Sequence, residues 1–396
     1  MLDVWLWELV EGLGRMFILP FLYIAFGIGL FLSAKRIKRE RSVFGTRVFD
    51  RFSEWKGTWM TGLITGFILS VIAVAGGMVV TYPLLFLIAA VLLLVSLTGK
   101  LGWYSPAYTL GFSYLLLLIL PYLPASFLAH SWVAPLQDTP LNVLAVLLSV
   151  LLFAEAILLL KTSSAETFPD RIKGSRGMWI GEHIGKKLTL VPFFALLPAG
   201  SIEPFASWWP LLSIGEESYG LILIPFVIGW EWKARGQSPV IAAKSLGRHT
   251  FLLAIVVLSL TIGSFFIDVL SLGAVIVSLI GRELILVFHR VREQKPAFFS
   301  ANSTGIRILG VIPESPAAQM GLVPGELIEH VNAVPVRTEN QFYEALQNSG
   351  AFTKLEVRDE WGENRYVQRA MYEGEHYELG LVFVEPATHE TSVGFF

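Results

Sequence analysis

Apolar positions come in long unbroken runs over the first three quarters of the chain and in short alternating runs after that. The runs 16–34, 59–77, 79–97, 104–128, 141–160, 251–267 and 269–288 each approach the ~20 apolar residues that a helix needs to cross a bilayer. They predict seven spanning helices. Two shorter runs, 188–200 and 219–232, are interrupted by Pro192, Pro198 and Pro225, and are expected as kinked spans or as a re-entrant pair. Residues 1–293 therefore read as a polytopic α-helical membrane bundle of seven to nine segments. A linker with Pro, Ser and Asn follows at 294–304, where Pro296 ends the last helix. Beyond it IRILGVI, ELIEHV, KLEVRDE and RYVQRAMYE alternate apolar and polar positions between turn residues. This predicts a small α+β module at 305–386 and a tail at 387–396.

Composition supports the membrane reading, since 54% of the 396 residues are hydrophobic and only 16% are charged, with a mean hydropathy of +0.60. Charge divides the chain. Residues 1–301 hold 24 of the 30 Lys and Arg against 18 of the 32 Asp and Glu, leaving about +6 there and about −8 in the remainder. The first part suits anionic lipid headgroups and the second suits water, while an acidic soluble part argues against nucleic acid. The N-terminus has no basic n-region and no small-residue cleavage site, so the first apolar span is expected to stay in the mature protein.

Lys and Arg also set the orientation. With the N-terminus outside, the inner loops hold those at 35–56, Lys100, 161–187 and 233–248, whereas the intervening loops 77–82, 129–140, 201–218 and the corner near Asp268 carry none. Basic loops stay in the cytoplasm, which places the C-terminal module there as well. The run KRIKRERSVFGTR is explained by the same rule and by attraction to anionic lipid. Tryptophans near the predicted boundaries, among them Trp5, Trp55, Trp208 and Trp232, suit an aromatic belt.

The stretch SPAAQMGLVPGELIEHVNAVPV is the most specific motif in the chain. Ala317 and Ala318 allow close helix packing, Gly321 offers a left-handed helix end, Gly325 permits the bend into the next strand, and Thr338 with Gln341 makes a capping box. The stretch resembles the bacterial PDZ signature, with Ala333 in place of the usual Gly after Asn332. That resemblance implies a β-sandwich or barrel with two helices, which binds an extended peptide as an added strand beside a helix and holds its terminal carboxylate on loop N–H groups. Leu379-Gly380-Leu381-Val382 resembles the carboxylate loop and leads into Phe383, so the order is expected to be permuted as in many bacterial PDZ domains. The groove then lies between 381–384 and a helix at 339–347, with Leu379, Gly380, Leu381, Val382, Phe383, Tyr343 and Leu346 as its residues. Gly380 is expected to be where a bound backbone approaches most closely. The alternatives are that LGLVF is only a closing core strand and that the groove lies beside 306–309.

Catalytic chemistry finds no support. Glu182-His183 lacks the second His of a zinc-protease helix, no Ser nucleophile sits in a soluble catalytic domain, and there is no cysteine. No catalytic residue, metal or cofactor is expected, and the scattered histidines are read as loop or interface residues. Glu155, Arg282 and Glu283 fall inside apolar runs, where ionisable groups are costly. Glu155 is expected to pair with a basic group on a neighbouring helix, and Arg282 and Glu283 to satisfy each other or snorkel, the alternative being an ion relay.

Size, topology and a single terminal PDZ module resemble the MinJ-type cell-division topology proteins of Gram-positive bacteria. The resemblance implies a multi-pass cell-membrane scaffold, enriched at the septum and poles, that bridges the coiled-coil protein DivIVA and the ATPase MinD. A transporter with a regulatory PDZ domain and a protease adaptor are the rival readings. Self-association into a homo-oligomer stays open.

Overall fold

The computed structural model describes residues 2–174, 177–205, 209–210, 218–349, 352–359, 361–370 and 379–384. Expectations that fall on Trp208, Arg176, His376, His389, the module beyond residue 384 and the tail 387–396 lie outside the described residues. The helical part begins with α1 (Leu2–Arg15) and α2 (Phe21–Phe44), which bend by 48° at their junction. There follow α3 (Trp59–Ala75), α4 (Tyr82–Ser96), α5 (Pro106–Ile119), the one-turn helices α6 (Ala125–Leu128) and α7 (Ala134–Gln137), and α8 (Leu141–Leu160). Strands β1 (Phe168–Lys173), β2 (Trp179–Ile202) and β3 (Tyr219–Ala234) come next, then α9 (Pro239–Gly263) and α10 (Val269–Arg292).

All seven runs expected to span the membrane lie on helices. Of these, α8, α9 and α10 are long and apolar enough to cross alone, and α1 with α2 qualifies as a bent pair, whereas α3, α4 and α5 are shorter apolar helices. Large apolar side chains face outward along them, Phe67 being 71% exposed and Phe288 69%. Apolar surface on this scale marks a face that meets a membrane or another protein.

The two proline-broken runs correct the expectation of helical or re-entrant segments. They are the inner parts of β2 and β3, paired antiparallel from His183 opposite Ala234 to Pro198 opposite Tyr219. A helix with Pro192 and Pro198 in its interior loses backbone bonds and clashes. In this hairpin neither loss arises. The N–H groups of Leu188, Phe194 and Leu196 point away from β3, to the Glu54 carbonyl, the Ser70 hydroxyl and the Met78 carbonyl. Pro192 and Pro198 share that parity, so each sits where the ladder needs no donor. Pro225, directly opposite Pro192, is placed likewise on the other edge.

A strand edge among apolar helices must also be covered, because hydrocarbon supplies no hydrogen bonds. Helix α3 does this for β2. Thr58, Gly62, Gly66 and Ser70 recur every four residues, about 6 Å of helix, and meet residues 188, 190, 192 and 194, about 6.6 Å apart by pairs along the strand. A Cβ at Gly62 would lie 2.4 Å from the Leu190 carbonyl oxygen, and one at Gly66 2.1 Å from that of Pro192. Only glycine permits this approach. Val80 N–H then closes the edge on the Leu196 carbonyl at 2.8 Å. At the far end of β3, Glu8 of α1 accepts the N–H groups of Leu221 and Ser201 while Arg15 donates to the Leu221 carbonyl.

The C-terminal module contains β4 (Phe299–Ser300), β5 (Ile306–Val311), α11 (Pro316–Gln319), β6 (Leu327–Val331), β7 (Val334–Pro335), α12 (Glu339–Gln347), β8 (Phe352–Arg358), β9 (Asn364–Ala370) and β10 (Leu381–Phe383). Its sheet runs β10-β5-β6-β8-β9, with β7 on β6, while β4 joins β2 of the first part. Gly321 at φ 69° and Gly325 at φ 103° take the left-handed conformations expected of them. Asn332 and Ala333 both have positive φ, at 47° and 67°, as a two-residue hairpin between β6 and β7 requires. Thr338 caps α12 by accepting the Gln341 N–H, but the Gln341 side chain turns to the Arg337 N–H instead of completing a reciprocal box.

Candidate functional site

Strand β10 ends its sheet, and α12 stands beside it. Ile312 N–H donates to the Gly380 carbonyl, and Val382 lies opposite Gly310. In an antiparallel ladder hydrogen-bonded pairs alternate with open ones, so the N–H and C=O of Leu381 face away from β5, toward the free edge. After a bulge at Val382/Phe383, the Phe383 carbonyl faces outward too. Among the described residues this leaves an open strand edge beside a helix, the geometry that accepts an added strand.

The floor of that edge is firm. Leu379, Phe383 and Leu346 are fully buried in the module core, Leu381 nearly so, and the Phe342 and Phe383 rings meet at 5.1 Å. Tyr343 is half-buried on the α12 side, its ring 5.3 Å from that of Phe342. Val382 points the other way, into a cluster with Val48, Phe49, Phe168, Phe299 and Leu309 that seats the module on the first part of the chain. Gly380 has φ 85°, and a Cβ there would lie 2.3 Å from the Ser315 Cβ. Its glycine is therefore demanded by the loop's own packing as well as by any ligand, and a side chain at this position strains the fold.

One acceptor on the free edge is already engaged. Arg171, buried on β1, donates from Nε to the Phe383 carbonyl at 2.9 Å. Its guanidinium lies over the Phe44 ring at 4.9 Å and contacts the Val43 carbonyl. Burial pushes this guanidinium below its ordinary pKa, with Glu339 at the start of α12 acting in the opposite direction. Nearby, the His183 ring Nε2 donates to the Leu309 carbonyl at 2.7 Å, Nδ1 lies 2.8 Å from the Thr167 hydroxyl, and the ring stacks on Phe299. His183 sits at the end of β2 outside the apolar helices, and burial lowers its pKa to about 4. It is an interface histidine, as the sequence led one to expect. The roles of Arg171 and His183 in seating the module carry no local signal, since their partners lie 212 and 126 residues away.

Within the helices, Glu155 pairs with Arg282 at 2.6 Å and accepts the Ser105 hydroxyl, while Tyr108 donates to Glu283 at 2.6 Å. The pairing of Glu155 with a basic group on a neighbouring helix follows expectation. Arg282 and Glu283 do not satisfy one another. Among the described residues no group of three His, Asp or Glu is placed to hold a metal ion.

Residues 307–359 match the PDZ domain family. Over 399 residues the chain is 33% identical to the cell division topological determinant MinJ of Bacillus subtilis, covering 98% of each sequence. It is 22% identical to the probable cell division topological determinant MinJ of Lacticaseibacillus paracasei, covering 96% of this chain and 98% of that one. Neither relative is named as an enzyme. No solved structure matches the chain.

Proposed function

The chain belongs to the MinJ family of cell division topological determinants, and from that premise we propose that it is a multi-pass membrane scaffold whose cytoplasmic PDZ module captures division proteins. The helices hold the module at the inner surface of the cell membrane, at the septum and poles, and the groove between β10 and α12 is the working surface. Its residues are the loop Leu379, Gly380 and Leu381, then Phe383, with Tyr343 and Leu346 on the helix side; Val382 belongs to the loop but turns to the opposite face. The observation that carries this reading is the outward-facing backbone of Leu381 and Phe383 at a sheet edge beside α12. The partners proposed are DivIVA and MinD, bridged so that division inhibition is confined to poles and completed septa.

Access to the groove depends on how the module is seated. A segment that pairs along the whole of β10 needs the Phe383 carbonyl and must displace Arg171, whereas a shorter one stops at Leu381. Tyr343→Ala removes a half-buried side chain at the rim of the core, so capture of immobilised DivIVA or MinD by the full-length chain in detergent is expected to fall about tenfold, equivalent to about 1.4 kcal/mol, with only a small drop in the midpoint of thermal unfolding. Full capture of both partners by that variant, and by the chain lacking the PDZ module, overturns the assignment.

A further inference from the structure

A second surface lies on the helical part. A cavity of about 580 Å³ opens beside the C-terminal end of α10, the end of β3 and the 101–104 turn. An apolar groove of about 380 Å³ continues from it between α5 and α10, and the two share Trp103, Tyr108 and Glu283. The groove is walled by Phe112, Leu279, Ile280, Leu284 and Val287. Trp103, Tyr108 and Phe112 form a continuous aromatic side, with adjacent ring centroids 4.8 and 6.1 Å apart.

The charges in the upper cavity are unevenly satisfied. Glu182 is taken by Lys233 at 2.7 Å, Glu231 accepts the Leu101 N–H, and Glu293 accepts the N–H groups of Arg235 and Gly236 and the Gln237 amide. Glu283 is held by the Tyr108 hydroxyl, and His289 Nε2 donates to the Lys233 carbonyl. Every carboxylate is thus engaged. By contrast, the side-chain charges of Lys100, Arg235 and Arg290 have no ion-pair partner among the described residues, and Arg235 Nε is buried with no acceptor.

We propose that this composite cavity is a binding site for one anionic glycerophospholipid of the inner leaflet. Lys100, Arg235 and Arg290 hold the headgroup phosphate, and an acyl chain lies in the groove between α5 and α10. Glu283 at the junction repels the phosphate and so keeps it in the upper cavity, leaving only the hydrocarbon below. Trp103 and Tyr108 stand at that boundary, where amphipathic rings are favoured. This goes beyond diffuse attraction between basic loops and lipid, since it names a stoichiometric site. It rests on the membrane-spanning reading and does not depend on the groove of the PDZ module.

The test uses the full-length chain, delipidated in detergent and examined by native mass spectrometry with added dioleoyl phosphatidylglycerol, dioleoyl phosphatidylcholine, glycerol 3-phosphate or inorganic phosphate. One phosphatidylglycerol is expected to be retained, and phosphatidylcholine is not. The triple substitution Lys100→Gln, Arg235→Gln, Arg290→Gln should lower retention about tenfold or more, because three cationic contacts are lost. Ile280→Trp should block the groove and reduce lipid retention with the cations in place. Ile280 is 56% exposed, so that variant is expected to fold normally. Equal retention of the two lipids, or retention unchanged in both variants, overturns the proposal. Complete displacement of the lipid by inorganic phosphate also overturns it, by marking a site for a free anion. Capture of DivIVA or MinD by the triple variant separates this test from that of the groove, since it should be unchanged.

Discussion

Two strand edges in this molecule receive opposite treatment. The outer edge of β2 is covered from 188 to 194 by α3, with hydroxyls at Thr58 and Ser70 and bare glycine backbone at Gly62 and Gly66, and at Leu196 by the 78–80 segment. Among the described residues the outer edge of β10 is left open beside α12, and of its outward groups only the Phe383 carbonyl has a partner there, Arg171. The difference follows from the surroundings. Among apolar helices an unpaired N–H or C=O costs several kcal/mol, so the edge must be sealed within the chain. In water an open edge costs little until a partner arrives, and it can then pair with an added strand.

The sealed edge is the more fragile of the two. Gly66→Ala places a methyl group 2.1 Å from the Pro192 carbonyl oxygen, in a place where neither backbone can retreat. Destabilisation of about 3 kcal/mol is expected, read as a lower midpoint of thermal unfolding in detergent. The control is Gly27→Ala on α2, where nothing lies within 4 Å of the new Cβ. There the better helix former should raise the midpoint slightly. Matching effects at the two sites would mean that α3 does not depend on glycine to cover β2.

At the open edge the sign reverses. Arg171→Ala frees the Phe383 carbonyl, and losing a charge-assisted hydrogen bond worth about 1.5 kcal/mol should raise partner affinity about tenfold in the full-length chain. The same substitution loosens the seat of the module, so faster hydrogen exchange in β10 should accompany the gain. Weaker partner binding with an intact fold would show that Arg171 helps to build the groove instead of occupying it.

The seat should also respond to pH. His183 has a folded pKa of about 4, below the ordinary 6.5. The neutral form is therefore bound in the seated state, and the released ring takes up a proton first. Stability of the seat is fully present above pH 6.5 and declines as pH falls toward 4, by about 1 kcal/mol at pH 5.5. Proteolysis near the 294–304 linker at pH 7.5 and 5.5 measures this, and His183→Gln should flatten the dependence. The smallest effect lies in the β6–β7 turn, where Ala333 holds φ 67°. Ala333→Gly should stabilise the module by about 0.5–1 kcal/mol without altering partner affinity.

Much of this architecture is legible from local pattern. The seven long apolar runs lie on helices because length and hydrophobicity leave little else for them. The PDZ match is visible because Gly321, Gly325 and the Asn332-Ala333 pair sit where the backbone must turn left-handed, and such needs are written residue by residue. The 188–200 and 219–232 runs, expected as kinked or re-entrant segments, are strands, and the expectation fails because a short apolar run with prolines fits a fully buried strand as well as a broken helix. Their neighbours decide between the two. The parity of Pro192 and Pro198 suits a strand only because α3 lies along that edge, and the glycines that let it approach are more than a hundred residues earlier in the chain.

What the sequence determined by itself was therefore each segment's own conformational preference, its affinity for lipid or water, and the turns that only particular residues can make. Which strand edge is sealed and which stays open was decided by tertiary structure alone. So was the placing of Arg171 at Phe383 and of His183 at Leu309. The physical reason is that a hydrogen-bond donor or acceptor is neutral information along the chain and acquires its meaning from whatever folding brings within about 3 Å of it.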